Sequence, residues 1–276
     1  MSTPAPTPEE VGRYYDQMGE FYRIVMDDNL HAGYWYTPED NTSLSDAQNR
    51  LTDILIDRVR IGPGQRLLDV GCGVGGPALR LAKASGCSVV GVTISQSQAA
   101  QATRLAADAG LSERAEFRCA DAMALPFAAD TFDAAWAIES ILHMPDRPQV
   151  LKEIARVLRP GGRLVITEPF ETNSLDDDGK AVLFPAFQIC SIVEFAEYAG
   201  VLNAAGFTPL EISDISRKTH QTLPKTLESS MQNQVPLAAI YGDDFVVTLK
   251  QSWPLLAQIH QSALGYLLAV GRKVAQ

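Results

Sequence analysis

The chain has 276 residues and a formal net charge of −10, with 46% hydrophobic and 20% charged residues. These values are typical of a soluble globular protein with a full hydrophobic core. The acidic balance argues against nucleic-acid phosphate as the main partner, because no excess of cations is available to release counterions. No N-terminal stretch has the basic-then-apolar pattern of a signal peptide, and no apolar run approaches membrane-spanning length. We therefore expect a cytoplasmic protein that avoids membranes and binds a small molecule.

Two helices are predicted before the first strand. Thr7 and Glu10 have the spacing of a capping box, and apolar side chains follow at helical intervals from Val11. Ser45 is predicted to cap the second helix, which presents Leu51 and other apolar residues on one face. These helices precede the glycine-rich centre of the sequence and are expected to cover it.

The stretch from Leu67 to Ala82, LLDVGCGVGGPALRLA, predicts a strand, a tight turn and a helix. Its four glycines let the backbone approach a ligand, and Pro77 suits the first turn of a helix whose N-terminus faces that ligand. A dinucleotide cofactor would require an acidic residue roughly 20 positions further on. The next strand instead ends in Val92-Thr93-Ile94-Ser95, which argues against a dehydrogenase.

Strands and helices alternate from position 66 to position 167, which favours a mostly parallel sheet with helices on both faces. Ligands bind such sheets beyond the carboxyl ends of the strands. The predicted strands are Arg66–Val70, Ser88–Val92, Ala115–Cys119, Phe132–Ala137 and Arg163–Thr167, with helices at Pro77–Ala84, Gln96–Ala109 and Pro148–Leu158.

The remaining third of the chain has weaker patterns. Ser191 and Glu194 resemble a second capping box, which predicts a helix to Ala205. The last two strands are expected at Thr208–Ile215 and Gly265–Gly271, and the weakly helical residues 216–260 between them are expected to form an inserted cap. The four cysteines and four histidines show no metal-ligand spacing, so no metal site is expected.

Several motifs, taken together, resemble the class I S-adenosylmethionine-dependent methyltransferases. They are Asp69-Val70-Gly71-Cys72-Gly73-Val74-Gly75, Gly91-Val92-Thr93-Ile94-Ser95 with Gln98, Asp121-Ala122-Met123, and Arg156-Val157-Leu158-Arg159-Pro160-Gly161-Gly162. The resemblance implies a Rossmann-like α/β fold with a mostly parallel seven-stranded sheet that ends in an antiparallel hairpin. It also implies a helical lid at residues 1–60, a cofactor core at 61–168, and the remaining strands with a substrate cap at 169–276.

The resemblance assigns S-adenosylmethionine as the cofactor and S-adenosylhomocysteine as the product. Gln98 takes the ribose role that an acid has in other members, and Asp121 matches the residue that binds the adenine amino group. The segment Leu30-His31-Ala32-Gly33-Tyr34-Trp35 resembles the part of the lid that lies near the methionine end. The expected cofactor residues are Tyr15, Gly33, Tyr34, Gly71, Gly73, Ile94, Ser95, Gln98, Asp121, Ala122 and Glu139.

His143 follows the fourth predicted strand, in a run that resembles natural-product sugar O-methyltransferases. Those enzymes have paired histidines there, and Leu142 replaces the first. A hydroxyl nucleophile needs a base with a pKa near the working pH, which histidine provides. His143 is therefore the expected general base, and Glu168, at the end of the fifth strand, is expected to orient it, accept the proton or bind a substrate hydroxyl.

The sequence thus predicts O-methylation of a small secondary metabolite, such as a sugar or an antibiotic core. An amine or carbon acceptor, or a cyclase that binds the cofactor structurally, stays open as an alternative, and so does a homodimer. The expected substrate contacts in the cap are Phe184, Phe187, Met231 and Trp253.

Overall fold

The computed structural model describes residues 6–172 and 175–275. Two helices, α1 (Pro8–Met26) and α2 (Leu44–Val59), precede the sheet. The alternating region contains β1 (Arg66–Val70), α3 (Gly76–Ser85), β2 (Ser88–Thr93), α4 (Gln96–Asp108), β3 (Ala115–Cys119), β4 (Phe132–Ile138), α5 (Arg147–Val157) and β5 (Leu158–Glu171). It is followed by α6 (Asp177–Phe187), α7 (Tyr198–Ala204), β6 (Phe207–Asp214), α8 (Ser216–Thr219), α9 (Thr222–Gln232), α10 (Gln234–Tyr241), α11 (Asp243–Ala263) and β7 (Leu264–Lys273).

The strands form one sheet in the order β3-β2-β1-β4-β5-β7-β6. The first five strands in this order pair in parallel, whereas β7 lies antiparallel between β5 and β6. This confirms the predicted mostly parallel, seven-stranded Rossmann-like sheet with its antiparallel end. The strand order reverses at β1, so the crevice beyond β1 and β4 is the expected ligand position.

Each face of the sheet carries its own apolar core, because successive strand residues point to opposite sides. Leu68 on β1 belongs to a cluster that includes residues of α5 and α7, and its neighbour Leu67 belongs to a cluster that includes residues of α2, α3 and α4. The helices thus cover both faces, as the alternating pattern predicted.

The lid helix α1 packs against the inserted helices rather than against the sheet alone. Phe21 and Val25 of α1 share an apolar cluster with Leu237 of α10 and with Val246 and Leu249 of α11. The inserted cap predicted for residues 216–260 is therefore four helices, α8 to α11, and the lid and the cap are packed together. Among the described residues, no helix has the length and apolar character that a membrane crossing needs.

Two predicted helix caps are wrong. The cap of α2 is Ser43, whose Oγ accepts the Asp46 N–H at 3.1 Å, and Ser45 lies inside the helix. Glu194 makes a β-bridge with Glu171, so the 191–194 segment is extended, and the helical turns begin only at Phe195. In α2 the hydroxyl with an acid three residues later is Ser43, with Asp46, and not Ser45. At 191–194 the same spacing is present, but the backbone enters the helix only after Glu194.

The corrected cap gives a first prediction. Replacing Ser43 by Ala should lower the free energy of unfolding by about 1 kcal/mol, because the Asp46 N–H loses its hydrogen-bond acceptor. Urea unfolding followed by circular dichroism measures this change. Ser45→Ala serves as the matched control and should have little effect; a larger loss for Ser45→Ala than for Ser43→Ala would contradict the assignment.

Candidate active site

The glycine-rich turn after β1 is held tightly against the start of the loop after β4. Gly71 has φ +75° and Gly73 has φ +54°, a region of backbone conformation that side chains disfavour. The Gly71 N–H donates to the Val92 carbonyl at 2.8 Å. A Cβ on Gly71 would overlap the Cβ of Ser140, so the absence of a side chain at position 71 lets the two loops meet.

One pocket opens at this meeting point, along the carboxyl ends of β1, β2, β3 and β4. Its lining includes most of the predicted cofactor residues, namely Tyr15, Gly71, Gly73, Ile94, Gln98, Asp121, Ala122 and Glu139. It also includes residues that the sequence reasoning missed, among them Pro8, Val11, Leu30, Thr93, Met123 and Ser140. We call this the cofactor pocket.

Two polar side chains of the cofactor pocket are fixed by local hydrogen bonds. Buried Gln98 accepts the Thr93 hydroxyl at 2.8 Å through Oε1, which leaves its amide group as a donor. Asp121 accepts the Met123 N–H at 2.8 Å through Oδ1 and so caps a short 3-10 turn. A carboxylate has a second oxygen, so this cap does not exhaust its hydrogen-bonding capacity.

A second, larger cavity of about 1050 Å³ lies between the lid and the cap. Its wall is largely aromatic and aliphatic, and it includes Tyr22, Met26, Leu142, Phe187, Ile189, Leu223, Trp253, Leu264 and Tyr266. We call this the acceptor cavity. It shares Tyr15, Leu30, Glu139 and His143 with the cofactor pocket, so the two spaces meet at these residues.

The hydrogen bonds of His143 determine its tautomer. Its Nδ1 lies 2.9 Å from the Gln188 carbonyl oxygen, which can only accept, so Nδ1 carries the proton. The Nε2 lone pair therefore accepts the Tyr15 hydroxyl at 3.0 Å. Burial lowers the pKa of His143 from its ordinary value, which keeps the ring neutral near pH 7. His143 thus presents a basic nitrogen where the two cavities meet.

Glu139 also lies where the two cavities meet, and it connects the lid to the sheet. Its Oε1 accepts the Ala32 N–H at 2.5 Å and the Tyr266 hydroxyl at 2.6 Å. The backbone at Glu139 has φ +47°, which is strained for a residue with a side chain. Burial raises the pKa of Glu139 to about 7, partly offset by these two hydrogen bonds, so a nearby positive charge would favour its ionised form.

Glu168 does not contact His143 and lines neither cavity. Its carboxylate pairs with buried Arg147 and accepts the Tyr198 hydroxyl at 2.8 Å. Arg147 also donates to the Ser191 carbonyl at 3.2 Å. The structure thus places Glu168 in a buried ion pair that joins β5, α5 and α7.

Three other predicted cofactor residues lie outside both cavities. Gly33 packs on Trp35, where a Cβ would lie 2.5 Å from a ring carbon, and Tyr34 belongs to the core cluster beside α2. Ser95 caps α4, and its hydroxyl donates to Asp16 of the lid helix at 2.5 Å. From the segment 30–35, Leu30, His31 and Ala32 line the cavities instead.

Of the predicted substrate contacts, Phe187 and Trp253 line the acceptor cavity, whereas Phe184 and Met231 are packed into neighbouring apolar clusters. No signal in the sequence distinguishes these pairs, because helix spacing alone does not show which face an inserted helix turns inward. In the part of the chain that the structure describes, no group of three or more His, Cys, Asp or Glu side chains could hold a metal ion.

Comparisons with known proteins identify the family of the chain. A family model described as a methyltransferase domain matches residues 68–166. The chain is 39% identical to (+)-O-methylkolavelool synthase of Herpetosiphon aurantiacus, covering 99% of this chain and 98% of that protein. It is 37% identical to 27-O-demethylrifamycin SV methyltransferase of Amycolatopsis mediterranei, covering 97% and 98%. The crystal structure of the [4+2]-cyclase SpnF shares 34% identity over 100% of both chains, with a TM-score of 0.86.

The glycine contact gives a second prediction. Replacing Gly71 by Ala should abolish binding of S-adenosylhomocysteine, because the new methyl group would push the loop of Ser140 away from the turn. Isothermal titration calorimetry measures this binding. Gly64→Ala is the matched control, since Gly64 also has positive φ (+79°) but faces open space, and it should retain affinity. Normal binding by Gly71→Ala would contradict the role of this contact.

Proposed function

The chain belongs to the class I S-adenosylmethionine-dependent methyltransferases, and from this premise we propose that it methylates a hydroxyl group of a bulky, largely apolar small molecule with His143 as the general base. S-adenosylmethionine is the cofactor, and it supplies an electrophilic methyl group on a cationic sulfur. The position of the neutral His143 Nε2 at the junction of the two cavities carries this proposal.

The residues of the cofactor pocket fit this cofactor. Without side chains, Gly71 and Gly73 let the backbone approach its amino-acid part. The free amide group of Gln98 can donate to the ribose hydroxyls, and the second oxygen of Asp121 can accept from the adenine amino group. The carboxylate of Glu139 favours a sulfonium cation nearby, because opposite charges attract strongly in a buried site.

The proton transfer follows from the His143 tautomer. Nε2 has a single lone pair, so the acceptor hydroxyl takes the place of the Tyr15 hydroxyl there. The Gln188 carbonyl continues to hold the Nδ1 proton and stabilises the imidazolium that forms. The cavity walls align the acceptor oxygen with the methyl group, and such alignment supplies much of the acceleration of a displacement reaction.

The dimensions of the acceptor cavity favour one acceptor class. A volume of about 1050 Å³ is at the upper end of small-molecule sites, and the wall is mostly apolar. A macrocyclic, polycyclic or terpenoid alcohol fills such a space better than a single sugar. The names of two relatives, an O-methylkolavelool synthase and a demethylrifamycin methyltransferase, support the same class.

The third prediction tests the base. His143→Ala should lower methyl transfer to a hydroxylated macrolide or terpenoid panel by about 10²- to 10⁴-fold, the usual contribution of a general base. Transfer of a labelled methyl group from S-adenosylmethionine measures it. Calorimetry with S-adenosylhomocysteine checks that the variant still folds and binds. Unchanged transfer to these hydroxyl groups by a variant that binds normally would contradict the role of His143 as the general base.

The pH dependence gives a fourth prediction. The base is active when neutral, so the rate should fall as the pH falls through the pKa of His143, which burial places below 6.5. At saturating S-adenosylmethionine, whose positive charge keeps Glu139 ionised, the acidic inflection of kcat/KM for the acceptor should therefore lie below pH 6.5. His143→Gln should remove this inflection and Glu139→Gln should retain it. If the inflection persisted in His143→Gln, the titrating group would be a residue other than His143.

A second candidate function is cyclisation, and the similarity to SpnF over the full length of both chains favours it as the alternative. A cyclase would bind the cofactor without transferring its methyl group. The labelling experiment distinguishes the two functions, because a cyclase would rearrange a suitable polyene and leave the label on the cofactor.

A further inference from the structure

His260, in the last turns of α11, lines the acceptor cavity. In His31 and His143 both ring nitrogens make hydrogen bonds. In His220 the Nδ1 nitrogen makes one. Within the described residues, neither ring nitrogen of His260 has a hydrogen-bond partner, and the ring only contacts Phe187 at 6.2 Å between centroids. Its hydrogen-bonding capacity is therefore unused by the protein.

The nitrogens of His260 are also within reach of a ligand. Trp253 Nε1, seven residues earlier on α11, is a buried side-chain atom that has no hydrogen-bond partner in the described residues. Neither ring nitrogen of His260 belongs to this group of buried, unpaired atoms. Since His260 lines the acceptor cavity, a ligand in that cavity can reach its unpaired ring nitrogens.

His260 lies close to the reacting end of that cavity. Phe187 contacts the His260 ring, and the next residue, Gln188, gives its carbonyl oxygen to His143 Nδ1. The two histidines therefore flank one short wall formed by residues 187–189. An acceptor with one hydroxyl at His143 passes His260 with another part of its skeleton.

We propose that His260 is a specificity-determining residue that hydrogen-bonds a second oxygen function of the acceptor, distinct from the methylated hydroxyl. This inference rests on the proposed function. A neutral imidazole offers one N–H donor and one acceptor, which match a hydroxyl, a carbonyl or an ether oxygen. Burial lowers the pKa of His260 to about 4, so the ring stays neutral near pH 7.

The preference for an oxygenated acceptor follows from the free-energy cost of removing water from His260. A purely apolar acceptor would displace water from His260 and leave its nitrogens unpaired, which opposes binding. An acceptor with an oxygen atom beside His260 makes a hydrogen bond to the ring in place of the displaced water. Sites that hydrogen-bond a substrate group reject analogues lacking that group far more strongly than apolar pockets reject a missing methylene.

The test uses pairs of macrolide or terpenoid alcohols that differ by one oxygen away from the methylated hydroxyl. His260→Leu should raise KM for the oxygenated member by about tenfold to a hundredfold with kcat nearly unchanged, whereas the deoxy member should be affected little. His260→Gln, which keeps a donor and an acceptor, should restore most of the loss. Gln258→Leu, at an exposed position of α11 outside both cavities, is the control for helix tolerance.

Equal losses for both members of every pair would mean that His260 only fills space, and an unchanged KM in His260→Leu would mean that it contacts no acceptor. Either result overturns the proposal. If the wild-type protein transfers no methyl group, the proposed function fails. The role of His260 is then tested by calorimetry, which measures binding of the same pairs of alcohols to the protein loaded with S-adenosylhomocysteine. The same preference for the oxygenated member, lost in His260→Leu, supports the inference; no binding or no preference overturns it.

Discussion

The contact between Gly71 and Ser140 is the constraint on which the site depends. The turn after β1 and the loop after β4 meet at the switch point of the sheet, and they meet because position 71 has no side chain. The Ser140 hydroxyl donates to the Val70 carbonyl at 2.5 Å and fixes the approach. Glu139 and His143 flank Ser140 along the chain, so this one contact places both of them beside the glycine turn. A cofactor bound on β1 is thereby next to His143, the proposed base, which follows β4.

The lid closes on this arrangement through polar contacts rather than through apolar burial alone. Tyr15 donates to His143, Asp16 accepts from Ser95 and Ser97 at the start of α4, and Ala32 donates to Glu139. Such contacts are replaceable by water or by ligand groups, and their net contribution is usually about 1 kcal/mol each. The lid helix α1 makes its own apolar contacts with the cap, through Phe21 and Val25, so α1 and the cap hold the acceptor cavity between them.

The sequence predicted the sheet because its information there is local. Every predicted strand from Arg66 to Thr167 overlaps an observed one, since apolar runs and glycine turns mark their ends directly. Eight of the eleven expected cofactor residues line the cofactor pocket, and most of these eight lie in motifs at those strand ends. Glu168 was different: β5 continues past it to Glu171, and its Oε1 binds Arg147 and Tyr198, which are distant in sequence. The cap contacts were predicted in part, because the inward face of α9 or α11 depends on packing between helices that the sequence pattern does not specify.

The wall formed by residues 187–189 links acceptor shape to the state of the base. Gln188 ends α6 in the left-handed conformation, with φ +53°, and its carbonyl oxygen accepts the Nδ1 proton of His143. Its two neighbours, Phe187 and Ile189, line the acceptor cavity. An acceptor that displaces these two side chains also moves the oxygen that fixes the tautomer, and a His143 without that oxygen could carry its proton on Nε2, where it cannot act as a base. The outer residues of this short segment contact the acceptor cavity and its middle residue fixes the His143 tautomer, so the fit of an acceptor and the protonation of Nε2 depend on the same piece of backbone.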